Sequence, residues 1–381
     1  MLFRKPALPI LSLVFLFQVT GAGSGSEMNW VPPNDSKLRW LAVADWEPAD
    51  GAFQTARVPR RWRNQFPDQT ATAALAPAGV VLWVATNART VALRISVPPR
   101  RESGQQQAQQ GSGPPRPQVP SPTGFDVYRN GQYLKSVEPA KEAGVQELAV
   151  YDNPSGNNVE LSILFPGGNS FLVNGVGFSR GSQYGPPRIS ARPRVLFHGD
   201  SITQGTGTSH PRNTFVWVVC EQLGCDPINL GFGGSAWGDK PVADYIASRN
   251  DWNMLVVAFG TNTYRRAHEA PEQLGKTYDT FLSTIRATHP DVPILCITPL
   301  WRGADGTEEK NQAGYTHQQY RDAVAQVVKR RQASDSNLHL LDGKELVPQN
   351  LLNSDQVHPN DAGAAKLASA VAQALKSLLR P

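Results

Sequence analysis

The chain has 381 residues, long enough for two domains with a core each on a scale of roughly 100–200 residues per domain. Its formal charge of +5 is spread over 37 basic and 32 acidic residues with no long basic block, so composition argues against nucleic acid or an anionic membrane as partner. The three cysteines, Cys220, Cys225 and Cys296, are too few for a disulfide framework and lack metal-ligand spacing; Cys220 and Cys225 could bridge across a helix end or stay buried as thiols.

At the N-terminus, Arg4 and Lys5 precede an apolar stretch from about Ala7 to Val19, then Thr20, Gly21, Ala22 and small residues to Ser26. This layout predicts a signal peptide over residues 1–22, cleaved near Ala22. The apolar stretch contains Pro9 and falls short of the ~20 residues that span a bilayer. The expectation is an exported protein, secreted or periplasmic, without a stable membrane anchor.

Residues 27–184 read as an all-β domain. Apolar runs at Val80–Ala85, Val91–Val97, Val159–Phe165 and Phe171–Phe178 are separated by turn residues, and Phe125–Tyr128 meets Gln132–Lys135 across Asn130-Gly131. An Asn-Gly pair between such runs signals a two-residue hairpin. About six to eight strands of this kind suggest a sandwich. Within it, Arg100–Thr123 is a Gln-, Gly-, Ser- and Pro-rich tract predicted to be a disordered insertion, because it cannot bury enough apolar surface to offset its chain entropy. Tyr184-Gly185-Pro186-Pro187 begins a linker reaching residue 192.

From residue 193 the periodicity changes. Short apolar runs at Arg194–Phe197, Pro227–Leu230, Met254–Phe259, Ile294–Ile297 and Leu338–Leu341 alternate with helical patterns at Thr214–Leu223, Glu272–Thr288, Tyr315–Gln332 and Ala362–Leu379. That alternation predicts an α/β domain over residues 193–381, a doubly wound, five-stranded parallel sheet with helices on both faces. Ligands of such sheets bind beyond the carboxyl ends of the strands.

Chemistry-bearing residues cluster at those ends. The first strand runs into Gly199-Asp200-Ser201-Ile202, which sets a serine hydroxyl at the sheet edge and its N–H at a helix start, where negative charge is favoured; alternatively Ser201 is only a helix cap. Asp355 and His358 stand three apart just before the last helix, whose cap is Asn360, so carboxylate and imidazole can meet as a serine triad requires. The second strand runs into Asn229-Leu230-Gly231-Phe232-Gly233-Gly234-Ser235 and the third into Gly260-Thr261-Asn262. These loops can supply donors to an oxyanion, a glycine through its unhindered N–H and Asn262 through its amide. Of the other histidines, His198 is expected to pack or hydrogen-bond near the site, and His210, His268, His289, His317 and His339 to lie on the surface.

As an ordered set these motifs resemble the SGNH (GDSL-type) hydrolase family. Gly199-Asp200-Ser201-Ile202 is similar to its first block, Gly234 to the glycine of its second, Gly260-x-Asn262 to its third and Asp355-x-x-His358 to its fifth. The resemblance covers about half the chain, from Pro193 onward, and implies a flavodoxin-like sheet. One departure is Thr263, where many members carry Asp. A preceding β domain, jelly-roll-like in type, is similar to the layout of some carbohydrate esterases and acyltransferases of the family.

What the resemblance implies is a serine esterase without metal or organic cofactor. Ser201 is the nucleophile, His358 the base and Asp355 its orienting acid, with the oxyanion held by the N–H groups of Ser201 and Gly234 and the Asn262 amide. The expected partner is a small-molecule or carbohydrate ester, foremost a short acyl group such as O-acetyl on a sugar. A lipid or thioester acylhydrolase, an acyltransferase with the same triad, and an inactive glycan-binding protein are the other readings. Trp237 and Trp301 follow strand ends and could cover a sugar face or simply pack the loops.

Overall fold

The computed structural model describes residues 27–98, 119–168, 171–188 and 192–378. The expected signal peptide and most of the Arg100–Thr123 tract lie outside the described residues.

Two antiparallel sheets form the N-terminal layer pair. In the first, the strands run in the order Asp45–Ala49, Ala52–Ala56, Leu172–Ser179, Thr90–Val97 and Gly144–Asp152, with Met28–Val31 added beside Leu172–Ser179. In the second the order is Tyr184–Gly185, Val81–Thr86, Val159–Leu164, Phe125–Arg129 and Gln132–Val137, with Arg39–Leu41 beside Val81–Thr86. Alternate residues of both, such as Leu82, Val84, Leu93, Ile95, Val127 and Ile163, are fully buried in one core, which is the period-two signature of facing sheets. Asn130 and Gly131 both take positive φ, 51° and 77°, as the predicted two-residue hairpin demands. Val81–Thr86 and Thr90–Val97 belong to different sheets, so the chain crosses the sandwich at Thr86–Thr90. Tyr184 and Gly185 pair with Thr86 and Ala85 and so extend a sheet where the sequence suggests the start of a linker.

The C-terminal sheet has five parallel strands in the order Asp226–Gly231, Arg194–Gly199, Met254–Ala258, Ile294–Ile297 and Leu338–Leu341. Both faces are covered. Val195, Phe197, Val256 and Leu295 pack under the helices Phe215–Leu223 and Asp361–Lys376. Leu196, Leu255, Val257 and Ile294 face the helices Lys240–Ala247, Pro271–Arg286 and His317–Gln332. Such double burial explains why these strands read as continuous apolar runs. The three cysteines are free buried thiols.

One N-terminal segment departs from the all-β expectation. Residues 57–76 carry the short helices Arg60–Arg63 and Asp68–Ala73, and Val58, Phe66 and Ala74 are buried in the same apolar cluster as Leu230, Phe232 and Tyr245 of the parallel-sheet domain. This segment is a wedge of the first domain in the core of the second.

Candidate functional site

Parallel register brings three strand ends level, with Gly199 opposite Gly231 on one side and Ala258 on the other. The loops that follow, at Asp200–Ser201, Phe232–Ser235 and Phe259–Asn262, therefore open at one sheet edge. Ser201 begins a one-turn helix, Ser201–Gln204, capped by the Asp200 carboxylate, which accepts from the Ile202 N–H at 2.9 Å. Gly231 permits this turn to lie flat on the neighbouring strand, since a Cβ there would run into the Gln204 backbone.

Across the cleft, the turn before the last helix is closed by its own bonds. Asn353 N–H donates to the His358 carbonyl at 2.8 Å, and Val357 and His358 N–H both donate to Asp355 Oδ1 at 3.1 Å. Asn360 caps the helix by accepting from Gly363 N–H at 3.0 Å. The turn presents His358 Nδ1 to Asp355 Oδ2 at 2.5 Å and His358 Nε2 to Ser201 Oγ at 2.7 Å. Because the carboxylate only accepts, Nδ1 carries the proton and Nε2 accepts from the serine hydroxyl. Burial pushes the Asp355 pKa up, but the His358 imidazole and the two N–H donors outweigh it and hold the carboxyl below its ordinary range.

The oxyanion side is a loop whose polar groups are nearly all engaged. Gly231 N–H donates to Asn229 Oδ1 (2.8 Å), Phe232 N–H to the Gly199 carbonyl (2.8 Å), Gly233 N–H to Gln204 Oε1 (2.7 Å) and Ser235 N–H to the Phe232 carbonyl (3.1 Å). Asn262 is 5% exposed, and its amide donates one hydrogen to the Ser235 carbonyl at 2.8 Å, leaving its second N–H for another acceptor. The Gly234 N–H has no acceptor among the described residues. Nor does the Ser201 N–H, as expected at the first position of a helix. The Ser201 N–H, the Gly234 N–H and the second Asn262 amide N–H are the groups on these loops left with a hydrogen to spare among the described residues. Gly234 has φ of 72°, a conformation that favours glycine.

Two aromatic residues singled out in the sequence sit differently. Trp237 stacks on His268 with ring centres 5.1 Å apart, its Nε1 buried without a partner, and the Arg266 guanidinium lies 5.5 Å from its ring centre. Trp301 is half-buried against the apolar cluster beneath the sheet.

Sequence reasoning missed a buried polar network behind the third and fourth strand ends. His317, expected on the surface, is 1% exposed; its Nδ1 meets Asp305 Oδ2 and its Nε2 meets Thr261 Oγ1, both at 3.0 Å. Arg321 adds bonds to Asp305 and to the Pro299 carbonyl. Burial lowers the His317 pKa to about 4 despite the Asp305 hydrogen bond. His198 does pack near the site: it is 1% exposed, its Nδ1 is 3.1 Å from the Leu230 carbonyl, and burial lowers its pKa to about 4. His289 is also buried, against the surface expectation.

The wedge from the N-terminal domain was missed as well. Arg57, 2% exposed, donates to the carbonyls of Ala76 (2.7 Å) and Ala73 (2.6 Å) on its own side and of Asn229 (2.7 Å) and Gly231 (2.9 Å) across the interface. Burial lowers its pKa to about 9. The Thr70 and Ser235 hydroxyls are hydrogen-bonded, and Gln69 Nε2 donates to the Gly233 carbonyl at 3.4 Å. No local sequence pattern marks these residues, because each meets its partner across more than 160 positions of chain. Among the described residues, no group of three or more His, Cys, Asp or Glu side chains is arranged to hold a metal ion, and no helix is long and apolar enough to cross a membrane.

A serine at the end of a strand of the parallel sheet thus meets a histidine and an aspartate from the turn before the last helix. Residues 197–366 match the model of the GDSL-like Lipase/Acylhydrolase family, and the C-terminal domain belongs to it. At family level the chain is an ester-hydrolysing enzyme. No curated protein matches the sequence. Several solved structures share the fold over both domains. Salicylyl-acyltransferase SsfX3 from a tetracycline biosynthetic pathway is 23% identical over 92% of this chain and 98% of its own, with a TM-score of 0.77. A candidate GDSL-like lipase from Bacteroides ovatus is 20% identical over 93% and 98%, with a TM-score of 0.73. The acetyl xylan esterase Est2A from the rumen bacterium Butyrivibrio proteoclasticus is 11% identical over 92% and 98%, with a TM-score of 0.57.

Proposed function

We propose that the protein is an exported serine esterase that removes short acyl groups, foremost O-acetyl, from carbohydrates. The observation that carries the catalytic part is the continuous chain from Ser201 Oγ through the His358 imidazole to the Asp355 carboxylate, beside loops whose Ser201 and Gly234 N–H groups have no acceptor among the described residues. In this reading His358 takes the Ser201 proton as Oγ attacks the ester carbonyl. The N–H groups of Ser201 and Gly234 and the free Asn262 N–H bind the oxyanion, and Asp355 stabilises the imidazolium. His358 returns the proton to the leaving alcohol, and water then releases the acid by the same route.

Three features support the carbohydrate ester: the leader-like N-terminus, the β-sandwich beside the hydrolase domain, and the fold shared with an acetyl xylan esterase. Domain boundaries of 27–184 and 193–381 go with this reading, with the linker beginning after Gly185, which still pairs with Ala85. Trp237, beside the Gly234 loop, is the aromatic surface we assign to the sugar, with Trp301 as a second. The test is a series of acetyl, butyryl and octanoyl esters alongside acetylated xylan and pectin fragments. Acetyl preference with release of acetate from a glycan is expected; octanoyl preference with no acetate released overturns the reading in favour of a lipid or thioester substrate. The fold shared with SsfX3 makes acyl transfer the second reading, and an acyl-alcohol product formed in preference to free acid when an alcohol acceptor is added selects it.

A further inference from the structure

The Gly233–Gly234 peptide holds the donor that the esterase reading needs most, and the chain on either side of it offers little resistance to rotation. Both flanking residues are glycines, for which opposite signs of φ are nearly equal in energy. In the esterase reading, a flip of that peptide would turn the Gly234 N–H away from the oxyanion and swing the Gly233 carbonyl oxygen toward it, replacing attraction by repulsion. Something must hold the plane. Gln204 Oε1 accepts from the Gly233 N–H, but that N–H belongs to the preceding peptide. The group that grips the Gly233–Gly234 unit itself is Gln69, whose Nε2 donates to the Gly233 carbonyl at 3.4 Å.

Gln69 arrives from the other domain, on the helix Asp68–Ala73. Its place is fixed by the wedge: Arg57 ties the carbonyls of Ala73 and Ala76 to those of Asn229 and Gly231, and the Thr70 hydroxyl is bonded to that of Ser235. Gly234 also makes room for it, because a Cβ at that position would overlap Gln69 Nε2. The glycine at 234 is favoured by its positive φ, and a side chain there would displace the Gln69 amide from its place on the peptide. A donor on the carbonyl of a peptide polarises the N–H of the same peptide, so the contact improves the donor as well as aiming it.

We propose that Gln69 is a positioning residue of the ester-cleaving site, which fixes the Gly233–Gly234 peptide with its N–H directed to the oxyanion. The proposal rests on the serine-esterase reading above. It makes the N-terminal domain part of the catalytic machinery through one amide, apart from any glycan it holds.

The test is Gln69→Ala and Gln69→Glu in the full chain, assayed with p-nitrophenyl acetate, with Ser201→Ala as the control for the reading itself. Gln69→Ala is expected to lower kcat about 10-fold, less than the 100-fold or more of losing an oxyanion donor outright, with KM within about twofold. Gln69→Glu keeps the shape and offers only acceptors once ionised, so its kcat falls further. A phenylboronic acid, which forms a tetrahedral adduct with the serine, loses affinity by the same factor as kcat. Thermal midpoints stay within a few degrees of wild type. Unchanged kcat in both variants while Ser201→Ala is inactive overturns the proposal and leaves the esterase reading standing. So does a loss of activity that follows a loss of folded protein without weaker boronate binding. Full activity in Ser201→Ala overturns both.

Discussion

The two walls of the cleft are built in opposite ways. The Asn353–Asn360 turn, which carries Asp355 and His358, is closed mainly by hydrogen bonds among its own residues and by the cap on the helix that follows, with Asn353 Nδ2 donating to the Gly207 carbonyl and Gly303 N–H to the Gln356 carbonyl as ties within the same domain. The Asn229–Ser235 loop, which carries Gly234, has two bonds of its own, Gly231 N–H to Asn229 Oδ1 and Ser235 N–H to the Phe232 carbonyl, and is otherwise held by Arg57, Gln69, Thr70, Gln204 and Asn262, none of them its neighbours in sequence. The nucleophile's partners are thus set mainly by chain geometry within one domain, while the Gly234 donor depends also on the assembly of two domains. Damage at a distance should therefore reach the oxyanion side first.

The contrast can be broken by substitution. The largest effect is expected at the self-contained turn, where Asp355→Asn keeps the shape but loses the charge that orients the imidazole; kcat should fall about 10⁴-fold with little change in KM. A loss under tenfold would remove Asp355 from the machinery. On the other wall, Asn262→Ala should lower kcat by about 100- to 1000-fold, because it removes one donor and leaves the triad whole. Retention of more than a third of the wild-type kcat would take Asn262 out of the oxyanion site.

Arg57→Met sharpens the comparison. It leaves four carbonyls without their shared donor, and bonds to a charged group contribute about 1.5–3 kcal/mol each at most. Denaturant unfolding should show a loss of about 3 kcal/mol or more, offset in part because a buried charge no longer has to be desolvated. If only the donors depend on the wedge, kcat measured on the folded fraction falls while the Asp355–His358 proton resonance stays unchanged. Loss of that resonance would show that the two walls are not independent.

Burial of histidines sets a smaller, pH-dependent effect. His198 and His317 have pKa values lowered to about 4, against about 6.5 in an unfolded chain. Between those values the unfolded state binds protons that the folded state refuses, so stability present at pH 7 is lost as pH falls through 6.5 toward 4. Asp305 continues the trend in more acid solution, since the His317 and Arg321 hydrogen bonds overcome its burial and keep its carboxyl well below the ordinary range. Thermal unfolding from pH 7 to pH 4 should show a falling midpoint, with a shallower slope in His198→Gln. An unchanged slope would mean that His198 does not contribute.

What was legible in the sequence follows the same divide between local and distant control. Ile294–Ile297 falls at the strand position expected of it, because a parallel strand buried on both faces must be apolar throughout; Leu338–Leu341, an edge strand half-buried after Leu338, is legible from its three leucines around His339. The Asn130-Gly131 hairpin and the Asn360 cap were readable for the same reason: each is decided within a few residues. Strands at Met28–Val31, Arg39–Leu41, Asp45–Ala49, Ala52–Ala56 and Gly144–Asp152 were not foreseen. They are short, or mix polar and apolar residues on a sheet face that is partly exposed, and their order is imposed by neighbours. The helix Lys240–Ala247 was also missed. At the site, Ser201, Asp355 and His358 stand out by type and spacing, whereas His317 reads as an ordinary helical residue until the fold brings Asp305 and Thr261 to it. Arg57 and Gln69 carry no signal at all, for their meaning lies in carbonyls far along the chain.

The central claim is that Ser201 is the nucleophile activated by His358. Treatment of the protein with a fluorophosphonate, followed by peptide mass spectrometry, tests it most directly. The account predicts one covalent adduct, on the peptide containing Ser201, formed in step with loss of esterase activity and slowed by orders of magnitude in His358→Ala. Full inactivation with the adduct on another residue, or labelling of Ser201 at the wild-type rate in His358→Ala, would contradict it.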